Sequence, residues 1–248
     1  MKWINTPRKM RGQSLVESII VLPLFALLIF GVLEIAYMMH AKSTLNAASF
    51  DAARKGSLNN ARLGSMKDGF AGVMAAMFVR SAPDIPKANA AKLKALGLLN
   101  MPASPRGWIE IVSPSKSVFN KFKKKQLVKS SSSTKESSVD IIPNDNLMWR
   151  DTKTQKIKVG SQTLEVNIQD ANLLKIRTVW CHKLLVPILD RFIHWTYTLT
   201  DAVPQVPTSE QLRCDAHAKA IGDGGFYIPV TSSAIMRMQT PVFGNDLK

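Results

Sequence analysis

Three sets of residues in this chain have types and spacings that could do chemistry. Gly12 and Glu17 lie five positions apart at the start of a long apolar run, "RGQSLVESIIVLPLFALLIFGVLEIAYMM" at 11–39. A small residue at a membrane edge leaves the backbone open to a protease. A carboxylate inside an apolar helix costs about 2.5–3.5 kcal/mol at the bilayer centre and less near an end, so it calls for a partner. The second set is Cys181, His182, Cys214 and His217, which could hold zinc or, in an oxidising compartment, supply a disulfide. The third is a run of seven lysines between Lys116 and Lys135, with no acid before Glu136. Such a run could meet anionic lipid, cell wall or DNA.

These sets constrain one another. The chain has 248 residues, a net charge of +15 and 46% hydrophobic residues, which is long enough for a sizeable core. Adjacent Cys181 and His182 are poorly spaced for two ligands of one tetrahedral ion, and an exported compartment favours oxidation. A Cys181–Cys214 bond is therefore expected, with no metal and no cofactor. The lysines read first as a solvated, mobile loop around 115–145 that includes "KSSSSTKESS" at 129–138. No RNA-binding aromatic motif or Arg-rich helix accompanies them, so no specific nucleic acid is expected. There is no P-loop, Gly-x-Ser-x-Gly, His-Glu-x-x-His or Cys-x-x-Cys, and the expectation is that the protein is not an enzyme.

Two elements must position these groups. The first is a helix. Residues 18–37 carry a single charge, Glu34, near the far end, and 20 helical residues at 1.5 Å each cross a hydrocarbon core of about 30 Å. Pro23 is tolerated in such a span. An ordinary signal peptide has a shorter apolar core, of about 7–15 residues. Lys2, Arg8, Lys9 and Arg11 precede the span without an acid, which places this end in the cytoplasm and everything after Met39 outside it. Glu34 then lies near the periplasmic interface and is expected to matter less than Glu17. Ala41, Leu45, Ala48 and Ala52 keep helical spacing beyond the membrane. Gly56 is expected to stop a helix running over 13–55, about 65 Å long. Its small residues would let another helix approach closely.

The ordered set Arg11-Gly12, Glu17, Leu22-Pro23, Glu34 and "NAASFDAAR" at 46–54 resembles the TadE-like pseudopilins of tight-adherence pili, within the type IV pilin class. Ser18 stands where that family usually has an aromatic residue. The resemblance implies a leader, 1–12, cut between Gly12 and Gln13 by a dedicated prepilin peptidase. Gln13 then becomes the first mature residue, and its α-amino group is a partner for Glu17 of a neighbouring subunit. It implies a minor component in pilus assembly, working with other pilins and pseudopilins and an inner-membrane assembly platform, and contributing to cell adhesion. The expected location is the inner membrane, single-pass, with the C-terminal domain periplasmic. A membrane-tethered periplasmic binding protein that keeps its leader and joins no pilus is the alternative. A periplasmic cell-wall or nucleic-acid binder using the lysines is a third class.

The second element is a domain over 57–248, expected to be α+β, with a mainly antiparallel sheet packed on the first helix. A short helix is expected near Met74–Phe78, and another from about Pro86 to Leu99. "WIEIV" at 108–112 and "LLKIRTVW" at 173–180 read as strands, and "KIKV" and "TLEVNI" flank Gly160-Ser161 as a hairpin. "FYIPVTSSAIMRMQTPV" at 226–242 reads as a strand that Pro229 restricts to an edge or a bend. "CHKLLVPILDRFIHW" at 181–195 reads as a loop with one or two helical turns. The sequences around Cys181 and "RMQTPV" also resemble, more loosely, the ends of longer TadE-like chains.

Overall fold

The computed structural model describes residues 13–79, 84–129, 136–159, 162–186 and 208–247. Helix α1 spans Gln13–Leu58, 46 residues, with Pro23 inside it. At 1.5 Å per residue it is about 69 Å long. Its two halves face different surroundings. Leu22, Leu24, Phe25, Leu28 and Phe30 are all about half or more exposed, while Ala41, Leu45, Ala48, Ala52 and Ala53 are buried. The buried set recurs every three to four residues, which makes one continuous stripe. That stripe packs on the strands and on α2, Leu63–Met74. Its alanines let a second helix, α2 of the same chain, approach closely, as well as the sheet.

Gly56 does not end α1, which continues to Leu58. A Cβ there would lie 2.8–2.9 Å from the side chains of Met66 and Leu174. The glycine is needed for close packing, and the helix instead turns out through Asn60 and Ala61, both at φ 58°. The amide of Ala61 closes back on the Gly56 carbonyl at 2.9 Å. The C-terminal segment clamps this corner. Gln239 and Thr240 amides donate to the Ser57 carbonyl, and Asp246 accepts from the Leu63 amide at 2.8 Å, serving the first turn of α2.

The sheet at the centre is antiparallel, ordered β1–β6–β7, with β1 at Gly107–Ser113, β6 at Leu173–Lys183 and β7 at Tyr227–Arg237. Pro229 lies on β7, an edge strand, where its missing N–H costs no ladder bond on the open side. Leu174, Ile176 and Trp180 of β6 enter one core with Leu45, Ala48, Met66, Phe70 and Met74. Ser49 and Thr178 hydroxyls meet at 2.6 Å across this interface. The period of two along β6 sends Val179 and Cys181 to the opposite face, into a smaller cluster with Trp108, Cys214 and Tyr227.

Helix α3 spans Ile85–Leu99, and α4 spans Lys116–Phe122 with the Ser115 hydroxyl accepting from the Val118 amide. Strands β2 (Lys124–Lys129) and β3 (Glu136–Ile142) pair antiparallel, and β8 (Val242–Phe243) pairs with β3. Strands β4 (Gln155–Val159) and β5 (Gln162–Val166) form a separate two-stranded sheet. Helix α5, Ser209–Ile221, precedes β7. The α+β class expected from the sequence is observed. Within 115–145, which the sequence reads as a mobile loop, the described residues include α4, β2 and β3. Backbone pairing, a Lys123–Asp140 contact at 2.8 Å and burial of Ile141 and Ile142 hold those strands despite their polar composition. Residues 130–135, the Gly160-Ser161 turn and most of 181–195 lie outside the described residues.

Candidate functional site

Glu34 is the acid that the apolar half of α1 carries near its far end, and its side chain is only 2% exposed. Its two carboxyl oxygens accept from the Leu185 amide at 3.3 and 3.2 Å, and one of them also accepts from the Val186 amide at 3.1 Å. Leu184, Leu185 and Val186 leave β6, and the Leu184 amide donates to the Phe226 carbonyl at 3.0 Å. Amides past the end of a strand have no ladder partner, and an unpaired carboxyl on an apolar surface is costly. Each solves the other's problem. Within the fold Glu34 ties α1 to the chain 151 residues away, a contact inside the subunit. An acid inside an apolar run signals that a partner exists, but its spacing says nothing of which segment supplies it.

Glu17 lies in α1, and Gln13 is the first residue of that helix. Seventeen residues separate Glu17 from Glu34, about 26 Å along the axis. The leader and Gly12 lie outside the described residues.

Cys181 and Cys214 are bonded, with a Cα–Cα distance of 5.4 Å and both residues fully buried. The bond joins β6 to α5. Sulfurs bonded to each other are not thiolate ligands, so the four-residue zinc arrangement does not form. His217 contacts the Ser104 carbonyl through Nδ1 at 2.8 Å, while neither ring nitrogen of buried His182 has a hydrogen-bond partner among the described residues. Burial, aided by the nearby Arg106 guanidinium, pushes His182 down to about 4. Among the described residues no group of three or more His, Cys, Asp and Glu is placed to hold a metal ion.

Arg106 went unnoticed in the sequence. Its guanidinium lies over Trp180 at 5.3 Å and Tyr227 at 5.5 Å, and its Nε donates to the Cys181 carbonyl at 3.1 Å. These neighbours, with Phe78 at 6.0 Å, come from distant parts of the chain, so no local pattern marks it. Beside this cluster Asp223 takes bonds from Lys183 and the Tyr227 hydroxyl, both at 2.8 Å. The Lys183 bond, reinforced by the Gly225 amide and Tyr227, draws Asp223 down to about 2. Burial and then the Asp223 bond push Tyr227 up to about 12. Arg106, the disulfide, the Lys183–Asp223 pair and the Glu34 tie all gather at one end of β6. That end is braced to hold position.

The long helix is thus apolar and exposed over one half and packed on its own sheet over the other. Residues 12–54 match the family model for TadE-like protein. The match covers the apolar half of α1 and most of its packed half, and stops before the sheet domain. No curated protein and no solved structure matches the chain. The likeness to the TadE-like family is confined to this segment. The apolar half of α1 is long and apolar enough to cross a membrane, and is the one such helix among the described residues.

Proposed function

We propose that this protein is a membrane-anchored pseudopilin, a minor structural component in the assembly of a tight-adherence type IV pilus, and not an enzyme. The observation that carries the reading is α1 itself: a TadE-like helix of 46 residues whose first half is bare apolar surface and whose second half is built into a sheet domain. Such a helix can sit in a bilayer and then stack against others like it. The basic residues ahead of the span support a cytoplasmic N-terminus and a periplasmic domain. Its partners in this reading are other pilins and pseudopilins, the prepilin peptidase and the inner-membrane assembly platform.

Processing between Gly12 and Gln13 is the step that separates a pseudopilin from a simply tethered periplasmic protein. Protein extracted from membranes of a host with the pilus machinery is expected to begin at Gln13, in open or cyclised form, by intact-mass and peptide mass spectrometry. An unprocessed Met1 or Lys2 terminus in that host refutes the pseudopilin reading and favours the tethered binding protein.

A further inference from the structure

The tie at Glu34 has a position relative to the bilayer as well as a partner. If residues 18–37 fill the hydrocarbon, Glu34 is 16 residues from Ser18, about 24 Å along a core of about 30 Å. It lies about one helical turn inside the boundary on the domain's side. Leu185 and Val186 are hydrogen-bonded to it, so their backbone is held near the same depth. Leu185 is 53% exposed, and Ile35 and Tyr37, one and three residues beyond Glu34 on α1, are exposed as well. Tyr37 is an aromatic of the kind that settles at the headgroup level. A backbone segment at this depth is tolerated only when its amides are satisfied by protein, and the Glu34 carboxyl satisfies two of them.

We propose that the end of the domain where β6 meets Glu34 is a second membrane-contact surface. Glu34 pins Leu185 and Val186 at the edge of the hydrocarbon, so the domain stands on the bilayer that α1 crosses. The occupant is lipid because the surface is continuous with the spanning helix and lies at its depth. The inference rests on α1 being a membrane span, whichever side the domain occupies.

The test uses the full chain in phosphatidylcholine–phosphatidylglycerol vesicles at low protein density, with the native cysteines bonded. A single added cysteine at Leu185→Cys, Phe30→Cys or Leu127→Cys carries an environment-sensitive fluorophore. Lipids brominated on their acyl chains are expected to cause a loss of emission at 30 and 185 but not at 127. Aqueous iodide is expected to quench only 127. Adding Glu34→Ala is expected to move the 185 label from lipid quenching to iodide quenching while 30 is unchanged and the disulfide still forms. Iodide quenching at both 30 and 185 overturns the span itself. Lipid quenching at 30 with iodide quenching at 185 overturns the contact surface alone. A 185 label shielded from both quenchers means that a neighbouring protein covers it, which also overturns lipid as the occupant. A 185 label that stays lipid-quenched in Glu34→Ala overturns Glu34 as the pin.

Discussion

Helix α5 should come loose when the Cys181–Cys214 bond is reduced, while the central sheet persists. Of its 13 residues only Cys214 and His217 are buried, so apolar packing contributes little to its docking. An isolated helix of this length is marginal in water. Its other ties include the Arg177–Glu210 pair at 2.5 Å, the Gln211 side-chain amide donating to the Tyr227 carbonyl at 3.0 Å, the Arg213 guanidinium 4.0 Å from the Trp108 ring centroid, and the buried His217 ring against the Ser104 carbonyl and the Tyr227 ring. Arg177 is 45% exposed and Arg213 is 48% exposed, so solvent weakens the charged contacts to about a kcal/mol or less each. The disulfide closes a loop with a sequence separation of 33. The chain-entropy relation gives that loop about 3–4 kcal/mol. At 1.36 kcal/mol per decade this is an opening equilibrium raised about 10²- to 10³-fold. Hydrogen exchange of the full chain in detergent, with and without reductant, measures it directly. Amides over 209–221 should lose two to three decades of protection on reduction, while β6 amides facing β1 and β7 lose much less. Equal protection of α5 in both states would show that side-chain packing, and not the bond, docks the helix.

Gly107→Ala should destabilise the domain by about 1–3 kcal/mol, the usual range for overpacking, read as a lower urea midpoint. Its Cβ would stand 2.5 Å from the buried Trp180 ring and 2.9 Å from the Val179 carbonyl, neither of which can swing away cheaply. His182 should make the fold acid-sensitive. It is held down to about 4 while the unfolded residue titrates near 6.5, so the unfolded chain takes up the proton first. The stability this contributes is complete above about pH 6.5 and is lost as pH falls towards 4, by about 3 kcal/mol in all. The fall in urea midpoint between pH 7 and pH 4.5 should therefore be smaller in His182→Leu than in the wild type. Glu17→Gln should leave membrane insertion and the disulfide intact yet lower co-purification with other pilins. Unchanged co-purification would remove Glu17 from the assembly contact.

The elements that were legible in the sequence are those whose signal is local. The 20-residue apolar run, the alternation in "TLEVNI" and the β-branched run of β6 each satisfy a short-range rule, and each is present as expected. The cysteine pairing followed from compartment and count. What stayed hidden depends on distant partners. Helix α5 has almost no apolar face to reveal it, because it is held by a covalent bond and polar contacts. Strands β2 and β3 have the lysines and serines of a loop, and only their pairing and the docking of β8 make them sheet. Gly56 has the composition of a helix stop, but its neighbours Met66 and Leu174 come from elsewhere and turn it into a packing residue. Glu34 was visible as an anomaly, and its partner was not.

The packed half of α1 is fixed to the domain at both of its ends, and this bears on how the molecule would carry load. At one end Glu34 holds Leu185 and Val186; at the other the Ser57 carbonyl accepts from Gln239 and Thr240. About 35 Å of helix lies between them at 1.5 Å per residue. Along that length buried alanines and Leu45 press on β6, β7 and α2 with no flexible linker between helix and sheet. The disulfide, Arg106 and the Lys183–Asp223 pair brace the same end of β6 that Glu34 grips. A pull on the apolar half would therefore meet short hydrogen bonds and a close-packed stripe acting together. Slippage of α1 along the sheet would have to break the Glu34 tie, the Ser49–Thr178 bond and the Ser57 clamp at once. A subunit drawn out of a bilayer by its helix needs that coupling, and a protein merely tethered to the membrane would be served as well by a loose linker.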